Sequence, residues 1–284
     1  MEQHGQPGTS VYDDQRHSDD EQLEGSKPFK FNYERDLPLL LHVRNATFVS
    51  NEQMYCFFME SKLERNRRCF SWRLQRLIAG DLIRVMPEVR PYKGPVYAIT
   101  RLGLATLESY GQGLISINSD SRTLPNSLQA PHFLELNDIR RTFEQTKCLQ
   151  RWRSERELTS LNYVIGTPLA KDYDAVAEVV LEGEPFRIAI EYERSLKSAA
   201  RYKEIQKSVQ DEGQVDLVLY LTSTMDLVFS LSAEFSYPPI PMCFVSSWKF
   251  KQNKLATNLI LRYGEMKETC SLRFALENII LAIK

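Results

Sequence analysis

The stretch KDYDAVAEVVLEGEPFRIAIEYERSLKSAARY, Lys171 to Tyr202, decides how the second half of this chain folds. Tyr173 to Leu181 and Phe186 to Glu193 are rich in β-branched and apolar residues, and Glu182-Gly183-Glu184-Pro185 separates them with turn chemistry. That pattern predicts a β-hairpin. With Gly183 and Glu184 as a two-residue loop, Glu182 faces Pro185; counting outward sets Asp174 opposite Glu193 and Val176 opposite Glu191. Side chains alternate faces along a strand, so Asp174, Glu191 and Glu193 are expected on one side of the sheet. Carboxylates gathered this way repel each other unless a divalent metal, an Arg or Lys, or open water lies among them. A basic helix from Ser195 to about Val209 follows and brings Lys197 near them.

Beyond that helix, VDLVLYLT (Val215 to Thr222) is a near-continuous apolar run, as in a central strand buried on both faces. Met225 to about Phe235 reads as a helix, Pro241 to Ser246 as another buried strand, and Ser271 to Ile283 as a C-terminal helix or strand. On the N-terminal side, Trp152 to about Asn162 carries Glu155 and Glu157 on a helix or at its start. Pro131 to Lys147 forms an amphipathic helix with Phe133, Leu136, Ile139 and Phe143 on one stripe; His132 at its start caps or packs. A hairpin, a helix and buried strands alternating with helices make an α/β domain with a mixed sheet, expected over residues 131–284.

The first half has a different rhythm. Leu37 to Val43 is an apolar helical run, and Ser50 with Gln53 forms a capping box for a second helix at 51–59. A third helix runs from about Arg65 to Ala79, with Gly80 after it. A short strand (Leu82 to Met86), a Pro/Gly-rich turn (Pro87 to Pro95), a second strand (Val96 to Thr100) and a helix from about Leu102 to Ser109 complete it. Three helices, a hairpin and a helix are the order of a winged helix-turn-helix, expected over residues 31–112 with a linker at 113–130. Its third helix presents Arg65, Arg67, Arg68, Arg73 and Arg76, with Phe70, Leu74, Leu77 and Ile78 as the buried stripe; the wing adds Arg84, Arg90, Lys93 and Tyr92. Such a helix offers one face to a core and the other to phosphates and base edges of duplex DNA. The alternative is a winged helix used for protein contacts with solvated arginines.

The 284 residues suffice for two cores, and 43% hydrophobic with 11% aromatic content marks a globular chain. A net charge of −1 leaves any nucleic-acid signal regional. Five scattered cysteines, never spaced CxxC, argue against a disulfide framework or zinc site and fit a reducing cytoplasm. No apolar run reaches membrane-spanning length and no signal peptide is evident. Residues 1–30, rich in Gln, Gly, Ser, Asp and Glu, read as a disordered acidic tail, either solvated or competing with phosphate for a basic groove.

The carboxylates suit metal-assisted phosphodiester cleavage, for which Mg²⁺ prefers oxygen ligands. Asp174 and Glu191 are the candidate metal ligands and Lys197 the cation; Glu193 is an extra ligand or outer partner, and Glu155 completes the site. The hairpin resembles the core of the PD-(D/E)XK nuclease superfamily, which has a restriction-endonuclease-like fold. Over roughly residues 34 to 250 the chain resembles the replication-relaxation family of plasmid and mobile-element proteins. The likeness rests on the order of motifs: a winged helix, HFLELNDIRRTF (His132 to Phe143), W-x-x-E (Trp152 to Glu155), a D-A-V strand and an acidic strand end. The resemblance implies a DNA-binding protein of plasmid maintenance or mobilisation. Tyr173 stands where the superfamily motif has Pro, and Glu193 stands at its lysine position, so an active site would take its cation from Lys197, Arg194, Arg201 or Lys203. Three functions follow as expectations: a Mg²⁺-dependent endonuclease docked on double-stranded DNA, a non-catalytic replication or transcription regulator whose second domain mediates homodimer or partner contacts, and an adaptor that touches no nucleic acid.

Overall fold

The computed structural model describes residues 30–89, 94–117, 119, 126–165 and 169–281. The acidic tail up to residue 29, the wing residues Arg90, Tyr92 and Lys93, and part of the expected linker lie outside the described residues. From Phe31 onward the chain forms one compact unit. It is mixed α/β, and no helix among the described residues is long and apolar enough to cross a membrane.

Helices α1 (Tyr33–Ala46), α2 (Asn51–Glu60) and α3 (Arg67–Ala79) come first, with the two-residue strand β1 (Val49–Ser50) leading into α2. Strands β2 (Ile83–Val85) and β3 (Val96–Ile99) and helix α4 (Arg101–Ser109) follow, and the strands pair antiparallel in the order β1-β3-β2. The capping box is present: the Ser50 hydroxyl accepts from the Gln53 N–H, and the Gln53 side chain accepts from the Ser50 N–H. Asn66 caps α3 by accepting from the Cys69 N–H, so that helix starts two residues later than its arginine run suggests. Phe70, Leu74 and Leu77 pack with Leu39, Leu40, Val43, Met54 and Phe58 in the core of this half.

Arg73 departs from the sequence expectation. It does not face solvent with the other α3 arginines but is buried, with Nη1 2.6 Å from Asp36 Oδ1 and Nε paired with Glu64. The guanidinium therefore ties α3 to α1 and to the turn before α3. Its position three residues after Phe70 on the apolar stripe explains the placement.

The second half is a seven-stranded sheet. Its strands are β4 (Leu149–Ser154), β5 (Ala175–Leu181), β6 (Glu184–Glu193), β7 (Leu217–Thr222), β8 (Met242–Ser246), β9 (Asn258–Tyr263) and β10 (Met266–Ser271), in the spatial order β10-β9-β8-β7-β6-β5-β4. β4-β5-β6 and β8-β9-β10 are antiparallel meanders, while β6, β7 and β8 run parallel. One face packs against α5 (Ala130–Glu144), α9 (Ser247–Asn253) and α10 (Leu272–Phe274). The other packs against α6 (Glu155–Asn162), α7 (Ala199–Ser208) and α8 (Met225–Glu234). Parallel neighbours need such crossovers, and α7 and α8 supply them. α5 also joins the halves: Ala130 and Leu134 pack on Phe48, Met86, Val96 and Ala98, and Gln53 Nε2 donates to the Leu134 carbonyl and Asp138 Oδ1, each at 2.7 Å.

The hairpin exists, but its register differs from the count made on a Gly183-Glu184 loop. Leu181 pairs with Glu184 and Ala175 with Ile190, so the loop is Glu182-Gly183. Both loop residues take positive φ, 50° and 89°, as a type I′ turn requires. Glu is an unusual occupant of that backbone, which favours Asn, Asp or Gly, so turn preferences alone place the loop one residue late. Continued one residue past Ala175–Ile190, the register sets Asp174 level with Glu191 rather than Glu193. Asp174 is also outside the strand: Tyr173 packs among the residues under α7 and α8, while Ala175 packs on the opposite face, so alternation breaks at Asp174.

Candidate functional site

An apolar run covers one face of β6, while the other carries Arg187 and Ala189 before its last residues. Phe186, Ile188, Ile190 and Tyr192 point to the α5 face and Ala189 to the other, where Glu191 and Glu193 succeed it. Two buried carboxylates thus stand at the C-terminal end of β6, beside the parallel ends of β7 and β8. In open parallel sheets that end is where ligands bind. A cavity of about 400 Å³ lies there, lined by His132, Glu155, Asp174, Glu191, Glu193, Arg194 and Lys197 among others. All five residues expected to carry the chemistry, Glu155, Asp174, Glu191, Glu193 and Lys197, therefore line one cavity.

Each is held by a specific neighbour. Asp174 Oδ2 accepts from the Tyr192 N–H at 2.7 Å, which anchors the strand entrance to the end of β6. Asp174 Oδ1 lies 3.2 Å from His132 Nε2, so α5 contributes its first-turn imidazole to the site. The Asp174 carbonyl accepts from the Glu155 N–H, which fixes the start of α6 against the same point. Glu193 pairs with Lys197 four residues on, and Glu191 pairs with Lys171 at 2.7 Å in an ion pair of poor hydrogen-bond alignment. Lys171 also sits 5.4 Å from the Tyr173 ring centre. Of the other cations expected to substitute, Arg194 lines the cavity, while Arg201 pairs with Glu204 on the exposed face of α7.

The electrostatics follow from crowding and burial. Burial pushes the Glu191 carboxyl up to about 7; Lys171 pulls it back and Asp174 adds to the rise. Burial and the Asp174 charge also raise the Glu155 carboxyl. Burial opposes a charged His132, but the hydrogen bond and charge of Asp174, with Glu155 and Glu191 behind it, outweigh burial and raise its pKa. Lys197 likewise rises despite burial, through Glu193. The four carboxylates thus stand among His132, Arg194, Lys197 and, on Glu191, Lys171, and their crowding raises Glu155 and Glu191 toward the protonated form.

The folded chain keeps Glu191 protonated above the ordinary carboxylate value of 4.5, up to about 7. Within that window the native state binds a proton that the unfolded chain has released, so stability falls as pH rises through it. Glu191→Gln is expected to flatten this slope, measured as urea midpoints between pH 4.5 and 7.5 without divalent cations. An unchanged slope would contradict the assignment.

The hard carboxylate oxygens gathered here suit Mg²⁺. Among the described residues, no three His, Cys, Asp or Glu side chains stand together as a ready-made metal cluster. Two site members carry no signal in the sequence pattern. Lys171 enters only with the correct hairpin register, and the pairing of His132 with Asp174 depends on how α5 lies across the strand ends.

Arg65 just before α3 and Arg67 and Arg68 on it are exposed, whereas Arg73 is not. Arg67 pairs with Glu52 at 2.8 Å and lies 4.6 Å from the Tyr55 ring centre. Arg76 lies 4.8 Å over the ring of Trp72, which is 59% exposed. Trp72 was not among the expected contact residues, yet it is the largest side chain on this basic face.

No family model, curated protein or solved structure matches the chain.

Proposed function

We propose that this chain is a double-stranded-DNA-binding protein with a Mg²⁺-dependent phosphodiester-cleaving site at the C-terminal end of β6. The observation that carries the reading is the convergence of Glu155, Asp174, Glu191, Glu193, Lys197 and His132 on one cavity. The element order supports it. The sequence α1-β1-α2-α3-β2-β3 is that of a winged helix-turn-helix, with α3 as the groove-facing helix. The run α5, β4, α6, β5, β6, α7, β7 resembles the order of a restriction-endonuclease-like core, with α6 between β4 and β5. The motif order that resembles replication-relaxation proteins points to a plasmid or mobile-element role in the cytoplasm.

In this reading Asp174 and Glu191 hold the cation. When bound, a divalent ion there supplies charge neutralisation and a water of lowered pKa. Lys197 faces the cavity and stabilises negative charge developing on the phosphate. His132 holds a proton at Nε2 toward Asp174, which fixes that carboxylate, and Lys171 balances Glu191 from behind the cavity wall. Phosphates dock on Arg65, Arg68 and Arg76, with Trp72 beside them.

A second reading rests on the ion pairs. Lys171 with Glu191 and Lys197 with Glu193 neutralise two carboxylates internally, as suits a non-catalytic regulator whose sheet domain mediates dimer or partner contacts. Incubation with supercoiled plasmid separates the two: nicked or linear product appearing only with Mg²⁺ or Mn²⁺ supports the enzyme, and intact plasmid under both metals supports the regulator. Docking is tested independently by fluorescence anisotropy on duplex DNA across salt. Arg68→Ala with Arg76→Ala is expected to weaken binding and reduce the salt slope by about 1 for each phosphate no longer neutralised. An unchanged slope would remove α3 from the interface.

A further inference from the structure

A second cavity, of about 600 Å³, opens where the C-terminal end of α2 meets the ends of α5 and α9. Phe57, Glu60 and Ser61 line it from α2, Glu144 and Lys147 from the end of α5, and Lys254 from the residue after α9. Its lining carries two carboxylates, Glu60 and Glu144, and two ammonium groups, Lys147 and Lys254. Glu144 is matched by Arg140 at 2.8 Å and Glu60 by Arg141 at 3.5 Å. The ammonium groups of Lys147 and Lys254 have no carboxylate partner among the described residues, so with Arg140 and Arg141 on the two acids from outside the lining, these two cations are left for an anionic ligand. Lys147 and Lys254 each follow a helix end on left-handed backbone, φ 61° and 53°, so neither is free to be carried off by continuation of its helix.

The residues beneath Phe57 add a separate observation. His42 is 8% exposed, and both its ring nitrogens are buried without a hydrogen-bond partner. It lines a small adjoining pocket that shares Phe57, Glu60 and Glu144 with the larger cavity. Buried polar atoms without partners are uncommon in folded proteins and mark places where a ligand or ordered water completes the structure. The ring stacks on Phe57 at 3.9 Å between centroids, which holds Phe57 as a fixed apolar wall. A volume of this size exceeds what an inorganic anion needs and falls in the range of drug-sized ligands.

We infer that this cavity binds a small phosphate monoester dianion with a flat organic body, of the nucleoside monophosphate class, Lys147 and Lys254 holding the phosphate and Phe57 bordering the body. Lysine is a point-charge phosphate binder, and the Ser61 hydroxyl adds a donor. Because α2 belongs to the first half and α5 and α9 to the second, a ligand here adds a contact across their junction. The site is distinct from the carboxylate cavity and does not depend on whether that cavity is catalytic.

The test is isothermal calorimetry of the full chain with adenosine 5′-monophosphate, inorganic phosphate and succinate. Adenosine 5′-monophosphate is expected to bind more tightly than either small anion. Lys147→Ala with Lys254→Ala is expected to weaken it by at least about tenfold, as for loss of charge-assisted hydrogen bonds. Both lysines lie at the surface, so the double variant folds, and its urea midpoint serves as the control. Asp174→Asn is expected to leave nucleotide binding unchanged. Absence of binding at millimolar nucleotide, equal affinity in the double variant, equal affinity for succinate, or loss of binding in Asp174→Asn would each overturn the inference. So would a double variant that loses duplex DNA affinity while keeping nucleotide affinity, which would make the lysines a DNA contact.

Discussion

Arg73→Met is expected to destabilise the chain by about 3–5 kcal/mol, the range for breaking a buried ion pair by removing one partner. The guanidinium, Asp36 and Glu64 are each no more than 6% exposed. Without Arg73, buried Asp36 loses its cation and buried Glu64 keeps only the half-exposed Arg35, 3.9 Å away, so desolvation is poorly offset. Arg73→Lys retains charge but cannot bond both acids through one planar fork, so it is expected to recover only part of the loss. Arg67→Ala is the internal control. Its partner Glu52 is exposed, and such a pair contributes roughly 0–1 kcal/mol. Urea midpoints for the three variants give the comparison. If Arg73→Met cost no more than Arg67→Ala, the buried triad would not be what holds α3 on α1.

Lys197→Met is expected to cut metal-dependent plasmid cleavage by about 10²–10³, the scale for removing one group that stabilises developing charge. Its stability should fall less than that of Arg73→Met, because Lys197 itself is half-exposed, although buried Glu193 loses its cation. Lys171→Met predicts a different pattern. Lys171 is the main influence holding the Glu191 pKa down, so its loss raises that pKa beyond about 7 and extends the falling limb of stability to higher pH. Cleavage rates at saturating metal, read beside urea midpoints at pH 6 and 8, separate the roles. Lys197→Met should lose rate far out of proportion to its loss of stability, and Lys171→Met should change the pH dependence of stability. If Lys197→Met cleaved at the wild-type rate, the cation would have to be assigned to Arg194 or Lys171.

Much of the framework is legible in the sequence because local chemistry and tertiary role agree. Ser50 and Gln53 announce the start of α2, and the apolar run ending at Thr222 becomes β7, buried along its whole length. Where they disagree, the sequence pattern misleads for physical reasons. β4 carries Gln150, Arg151 and Arg153 at the sheet edge, and β10 is Met-Lys-Glu-Thr at the opposite edge, so neither shows an apolar alternation. Arg73 resembles its exposed neighbours in composition and differs only in facing Asp36 and Glu64, two residues from separate segments. The site carboxylates emerge from the sequence despite a hairpin register wrong by two. A shift of two preserves which face a strand residue occupies, so Glu191 and Glu193 keep their side. Asp174 reaches the same cavity by another route, a hydrogen bond from the Tyr192 N–H at the strand entrance. Lys171 and His132 require the correct register and the packing of α5, and neither is written locally.

The most direct measurement of the central claim is conversion of supercoiled plasmid by the purified chain with Mg²⁺ or Mn²⁺, run beside Asp174→Asn and Glu191→Gln. Both substitutions keep size and hydrogen-bonding capacity while removing the charge that would hold the cation. The expected result is metal-dependent nicking by the wild-type chain and loss of at least about 10²-fold in each variant, both remaining folded. Cleavage that persists in either variant, or a wild-type chain that leaves plasmid intact with both metals, would contradict a metal-dependent cleaving site at the end of β6.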